Sequence, residues 1–287
     1  MHLAYLVSAY KLPEQLVRLV SRLSTPRCHF FIHVDRQTDD AVFDRMVEPL
    51  TAVPNVHFLD RHPSYYGGFG HVRATLKGID ALLRMNLSFD HIVLLTGQDY
   101  PIKSNDEIER FLGARGGQAF LEYFPLPFEE WRGGGLDRFE HWHIRVAGRY
   151  LRLPPGRWGR RRFPSGMKPF GGSPYWCFSR ECVEYIDEFV RRSPSFVRFF
   201  KYVNVPDELF FHTILLNSPL AETIVNDDLR YVEWRDIEVA GGPAVLRRSD
   251  FGKLMRSPDL FARKFDASID ASVLDMIDAK IERDGEL

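Results

Sequence analysis

Apolar residues in the first third of the chain fall into short unbroken runs separated by helix-period stretches. Leu3 to Val7, Phe30 to Val34 and His91 to Leu95 are nearly continuous apolar runs, and Val56 to Leu59 is a shorter one. Between them, Leu16, Leu19, Val20 and Leu23 share one face of a helix predicted from Pro13 to Leu23. Val42 to Leu50 reads as a short helix and His71 to Met85 as a long one. Strands apolar on both faces, alternating with helices, predict a mostly parallel sheet flanked by helices, an α/β fold of Rossmann-like type. Ligands of such open sheets sit at the carboxyl ends of the strands. Asp35, the Gly67-Gly68-Phe69-Gly70 loop and Gly97-Gln98-Asp99 are therefore expected along one crevice, with nucleotide-type geometry.

The middle has another texture. Phe124 to Phe128 is aromatic and irregular, Gly133-Gly134-Gly135 reads as flexible, and Gly171 to Phe178 turns into an aromatic strand that includes Tyr175. Glu181 to Phe189 follows as a helix. In the last third, Leu229 to Trp234 alternates like a strand, Asp250 to Met255 reads as a short helix, and a polar helix closes the chain from Ser268. No repeat or linker divides the sequence, so a single domain over 1–287 is expected. Its 1–122 part would bind nucleotide, and its 123–287 part would hold the acceptor and the catalytic group.

Asn204 to Pro219 carries the signals of one helix: Asn204 to cap, Pro206 in the first turn, Asp207 and Glu208 at the positive end of the dipole, and Ser218-Pro219 to stop it. Leu209, Phe210, Ile214 and Leu215 form its apolar face. A carboxylate in that first turn is expected at the rim of the element and ionised, a sensible place for a general base. Two acids that merely complement the dipole would look the same.

Composition narrows the classes. A net charge of −1 over 287 residues points to neither nucleic acid nor an anionic surface. Cys28, Cys177 and Cys182 are an odd number without a Cys-x-x-Cys pair, which argues against a disulfide framework and a zinc site and for a reducing compartment. No apolar run reaches membrane-spanning length. Locally, Arg145 to Lys168 holds eight basic residues and no acid, including Arg160-Arg161-Arg162. That segment is either a solvated loop or a patch for anionic groups at an acceptor or a membrane, and Trp158 inside it suits an interfacial anchor or simple packing.

The chain lacks a phosphate loop, a dinucleotide glycine fingerprint, a nucleophile elbow and a His-Glu-x-x-His pair. Where sugar-nucleotide enzymes often place Asp-x-Asp to hold a metal, this sequence has Gly97-Gln98-Asp99, with one carboxylate. A bound diphosphate would then be met by side-chain cations. Arg263 and Lys264, with Arg247 and Arg248, are the candidates, although any one of them could be ordinary surface charge.

Five blocks in order resemble the core-2/I-branching β-1,6-N-acetylglucosaminyltransferases and peptide O-xylosyltransferases, glycosyltransferase family 14. They are Phe31 to Asp35, Leu94 to Lys103, Gly171-Gly172-Ser173, Pro206-Asp207-Glu208 and Leu260 to Asp266. Phe210 to Thr213 is closer to the xylosyltransferase branch, and Leu260 to Asp266 to the branching enzymes. The resemblance implies a GT-A type fold, a UDP-sugar donor, inversion at the anomeric carbon, no metal and no other cofactor. It also implies roles. Glu208 matches the base and Lys264 the lysine that neutralises the diphosphate; Asp35 lies in the uridine segment and Trp234 on the acceptor side. Gly97, Gln98, Asp99, Arg263 and Arg247 join the donor-side set, and Tyr175 and Asp207 the acceptor-side set. Two positions depart from the family. Gly242-Pro243-Ala244 stands where relatives carry a further cation, and Ser8-Ala9-Tyr10 where a histidine is common.

The expectation is a metal-independent inverting transfer of GlcNAc or xylose from UDP to a hydroxyl of a glycan, lipid-linked or peptide acceptor. A cytoplasmic setting follows, with the 145–168 segment as a peripheral contact at the inner membrane. The rivals are a catalytically silent sugar-nucleotide or glycan-binding protein, and a metal-dependent transferase using Asp99 with Asp35.

Overall fold

The apolar runs become strands. In the computed structural model, which describes residues 1–146, 149–153, 161–234 and 242–285, the chain forms two compact units that interleave along the sequence. One comprises residues 1–60, 88–116 and 229–287, the other residues 61–87 and 117–228.

In the first unit the strands Leu3–Ala9, Cys28–Val34 and His91–Thr96 are parallel, with Leu3–Ala9 between the other two, and Val56–Phe58 adds in parallel beyond Cys28–Val34. Burial on both faces does not by itself fix the register. Leu3 stands opposite Cys28 on one side and His91 on the other, and a one-residue slip would still bury every side chain. The Pro13–Leu23 helix buries the four apolar residues that its period predicted. The Asn105–Gly113 helix starts at a capping box, in which Ser104 and Glu107 satisfy each other's backbone amides. A second, three-stranded sheet joins Arg230–Val232, Phe261–Arg263 and Asp99–Pro101. Sequence periodicity did not foresee Asp99–Pro101 as a strand, because three residues are too few to show an alternation.

The second unit is built on Ala119–Pro125 paired antiparallel with Phe170–Ser179, with a shift in register between Leu121 and Tyr123. Trp176 and Phe178 point to one face of the longer strand and stack at 3.9 Å. Phe211 packs against both rings, and Phe196, Phe200 and Phe210 extend the cluster. This aromatic core anchors the helices Arg180–Arg192, Pro194–Phe200 and Phe210–Leu216. Trp142–Val146 and Arg149–Leu153 form a hairpin that the sequence reading missed.

The helix expected from Asn204 is broken. Pro206–Glu208 is a single 3-10 turn, Leu209 leaves helical geometry at φ −134°, and the α-helix proper begins at Phe210. Asn204 does not cap it; its side-chain oxygen accepts from Arg145 Nη2 at 2.8 Å. Val205, at φ +48°, turns the chain sharply before Pro206 and donates its amide to Gly67 O at 2.9 Å. Tertiary bonds to residues far away in sequence therefore outcompete the local helix signal.

Candidate functional site

The first unit gathers the residues expected on the donor side at the carboxyl ends of its parallel strands. Past Ala9, Val34 and Thr96 the chain is stitched together by backbone bonds. Asp35 N donates to Ala9 O at 2.9 Å and Gly97 N to Ser8 O at 2.9 Å. Buried Gln15 donates to Gly97 O at 2.8 Å and to Phe265 O at 3.3 Å. Gln98 donates to Phe265 O at 3.0 Å and accepts from the Tyr10 hydroxyl at 3.4 Å. These bonds pin the segment that carries Lys264 against Gly97 and Gln98. Asp35 is half-buried, and its carboxylate accepts from Gln37 N at 2.9 Å.

Asp99 is oriented otherwise. It has no exposed surface, accepts from the Thr96 hydroxyl at 2.7 Å, and lies 3.4 Å from both Arg230 Nε and Arg263 Nε. A carboxylate enclosed in that way is not presented to a diphosphate or to a metal ion arriving from solvent. It orders the two guanidiniums instead, and Arg263 in turn is tethered inward. Among the described residues, no group of three or more His, Cys, Asp or Glu side chains is placed to hold a metal ion.

The Lys264 ammonium makes no hydrogen bond or ion pair among the described residues. Partial burial holds its ammonium below the usual lysine range, and the neighbouring charges of Lys11 and Arg263 push the same way against Asp266. An ammonium depressed by burial and like charge gains from an anion beside it. Arg247 and Arg248 are exposed; Leu246 N, one residue before them, donates to Lys264 O at 2.8 Å. Trp234 is 58 % exposed beyond the Arg230–Val232 strand, an open ring face of the kind on which a sugar can stack.

The second unit holds Glu208, Asp207 and Tyr175. Glu208 is half-buried, and its Oε2 accepts a hydrogen bond from Arg138 Nη1. The Arg138 guanidinium lies over the Trp131 ring at 3.5 Å. Trp131 is seated by glycines: a Cβ at Gly135 or Gly171 would come within 2.7 or 2.9 Å of its ring. The Gly133-Gly134-Gly135 tract, expected to be flexible, is thus a defined turn with all three glycines at positive φ.

Burial pushes the Glu208 carboxyl up to about 7; Arg138 opposes this, while Asp207 and Glu122 add to it. The expectation that the helix end favours the ionised form is offset here, because the loss of water outweighs the helix-end dipole. Asp207 is also raised, chiefly by burial, against the charges of His71, Arg138 and Arg145, and its Oδ1 finds no hydrogen-bond partner. Burial, Asp228 and Asp227 raise Glu122 in turn. Tyr175 is half-buried, and its amide donates to Ser173 Oγ, which itself donates to Asp228 at 2.5 Å. Glu208 and Asp207 are therefore adjacent members of one acidic group, whereas Trp234 belongs to the other unit.

The basic run is less uniform than its composition. Arg161 is 8 % exposed and donates to the carbonyls of Tyr202 at 2.7 Å and Phe199 at 2.6 Å. Arg145 is committed to Asn204, whereas Arg162 is exposed. Arg161 is thus a structural member of the fold and not part of a free patch, because a guanidinium can satisfy several orphan carbonyls at once. Trp158 and Arg160 lie outside the described residues.

Sequence reasoning missed Arg138, Trp131, Glu122 and Lys11. Lys11 had a usable signal, its place just beyond the first parallel strand. Arg138 had none, because it sits in a one-turn helix, Asp137–Glu140.

A Core-2/I-Branching enzyme family profile matches residues 3–254, nearly the whole described chain. The chain belongs to the Core-2/I-Branching enzyme family. Similar curated proteins include Homo sapiens xylosyltransferase 2, 29 % identical over 92 % of this chain and 32 % of that protein. Homo sapiens xylosyltransferase 1 is 27 % identical over 92 % and 29 % respectively. The chain spans about a third of the length of these relatives. Among solved structures, S. aureus TarS 1–349 overlaps 76 % of this chain and 56 % of its own, at a TM-score of 0.40 and 16 % identity. The matched range includes the Pro206-Asp207-Glu208 turn and ends at Leu254, ten residues before Lys264. No helix among the described residues is long and apolar enough to cross a membrane.

Proposed function

We propose that this protein is a glycosyltransferase that moves xylose or GlcNAc from a UDP-sugar to an acceptor hydroxyl by a single inverting displacement without a metal ion. One observation carries the reading: in a chain of this family, Glu208 has a carboxyl raised to about 7 and fixed by Arg138, and so is poised to take a proton near neutral pH. Glu208 accepts the acceptor's hydroxyl proton while that oxygen bonds to the anomeric carbon, and the bond to the diphosphate breaks with its electron pair leaving on UDP. One displacement needs one base, which fits a single committed carboxylate. Lys264 offers the departing diphosphate an unpaired ammonium. The enclosure of Asp99 supports charge neutralisation by side chains over an Asp99–Asp35 metal site. Xylosyltransferase names among the relatives favour xylose as the first donor to try.

The test is UDP release from a panel of UDP-sugars in EDTA, comparing wild type with Glu208→Gln. Turnover of one donor that falls about 100-fold or more in the variant, with UDP still bound, is the expected result. Activity that requires an added divalent ion overturns the metal-free mechanism. UDP binding with no turnover by either protein, acceptors included, supports a silent binding protein instead.

A further inference from the structure

A diphosphate brings more negative charge than one ammonium can balance, and Arg263 is drawn inward to Asp99. The first unit holds another cation at the same strand ends. Lys11 follows Tyr10 directly, just past the Leu3–Ala9 strand, and its Nζ pairs with Asp266 Oδ2 at 2.7 Å. Asp266 lies two residues beyond Lys264, on the segment that Gln98 and Gln15 tie down. Leu12, at φ +59°, holds a left-handed turn that a leucine adopts only when its surroundings impose it. The Lys11 ammonium keeps 36 % of its side-chain surface while Asp266 keeps 6 %, so the acid is enclosed and the base faces outward. The depressed Lys264 ammonium already registers the charge of Lys11.

We propose that Lys11, paired with Asp266, is a second diphosphate-binding cation that turns to the phosphates beside Lys264 when the nucleotide arrives. The assignment rests on the UDP-sugar reading above. Asp266 serves as the resting partner: it keeps two ammoniums close together without a ligand, and it yields one of them to an anion of higher charge.

The experiment measures binding of UDP, uridine and inorganic pyrophosphate by calorimetry to wild type, Lys11→Ala, Lys11→Arg, Asp266→Asn and the double variant Lys11→Ala with Asp266→Asn. Melting temperatures confirm that each is folded. Lys11→Ala is expected to weaken UDP and pyrophosphate about tenfold or more and leave uridine unchanged, with Lys11→Arg retaining most of the affinity. The double variant separates a lost contact from an unmasked acid. If it stays about tenfold weak, Lys11 itself meets the phosphates; if it returns to the wild-type value, the proposal is overturned. Pyrophosphate binding by wild type without UDP binding would leave the Lys11 site standing and sink the nucleotide reading. Binding of neither overturns both.

Discussion

Arg138 donates to the Glu208 carboxylate from a guanidinium that lies over the Trp131 ring, so one residue both aims the proposed base and restrains its pKa. The two residues are 70 positions apart in sequence.

Activity should therefore fall as pH drops through about 7, where Glu208 gains the proton that disables it as a base. Replacing Arg138 by Met removes the cation that holds the pKa down. The acidic limb of the kcat/KM profile should then move up by about one unit or more, and Arg138→Lys should restore part of the shift. A limb that stays in place in Arg138→Met would assign it to another group.

The same raised carboxyl has a stability consequence. A carboxyl whose folded pKa lies above its unfolded value stabilises the fold fully below the ordinary value of 4.5 and loses that contribution as pH rises to about 7. Glu208→Gln should thus raise the melting temperature at pH 8 more than at pH 4.5. Equal shifts at both values would contradict the burial that raises it.

Asp99→Ala should destabilise by about 3–5 kcal/mol in urea unfolding, because it leaves Arg230, which has no side-chain exposure, beside Arg263 without their shared carboxylate. A residue that only met a metal or a donor at the surface would cost far less.

Arg161→Ala should cost on the order of 2–4 kcal/mol, since the carbonyls of Tyr202 and Phe199 lose their donor and Phe199 loses the guanidinium stacked at 4.1 Å. Arg162→Ala should change stability by about 0.5 kcal/mol or less. Liposome binding by the basic segment is consequently best tested with Arg162 and not with Arg161.

Two glycines should answer oppositely to alanine. At Gly172 a Cβ would lie 1.9 Å from Glu122 O and 2.9 Å from His212 Nε2, so Gly172→Ala should lower the urea midpoint sharply, by about 3 kcal/mol. At Gly113, at the end of the Asn105–Gly113 helix, nothing lies within 4 Å, and alanine should stabilise by about 0.5–1 kcal/mol.

The sequence by itself determined the alternation of strand and helix in the first unit, because periodicity and burial on both faces are written in neighbouring residues. It also singled out Glu208 and Lys264, through motif blocks that are local. It misjudged the Asn204 stretch for the same reason: capping residues and an apolar period describe a helix, but Val205 to Gly67 and Asn204 to Arg145 bonds decide where it starts. What only the tertiary structure decided are the pairings across long stretches of chain. Arg138 with Glu208, Lys11 with Asp266 and Arg230 with Asp99 are each brought together by folding, and the desolvation that lifts Glu208 exists only once the protein surrounds it. A local pattern records which element a residue joins; the charge state of a side chain depends on everything packed around it.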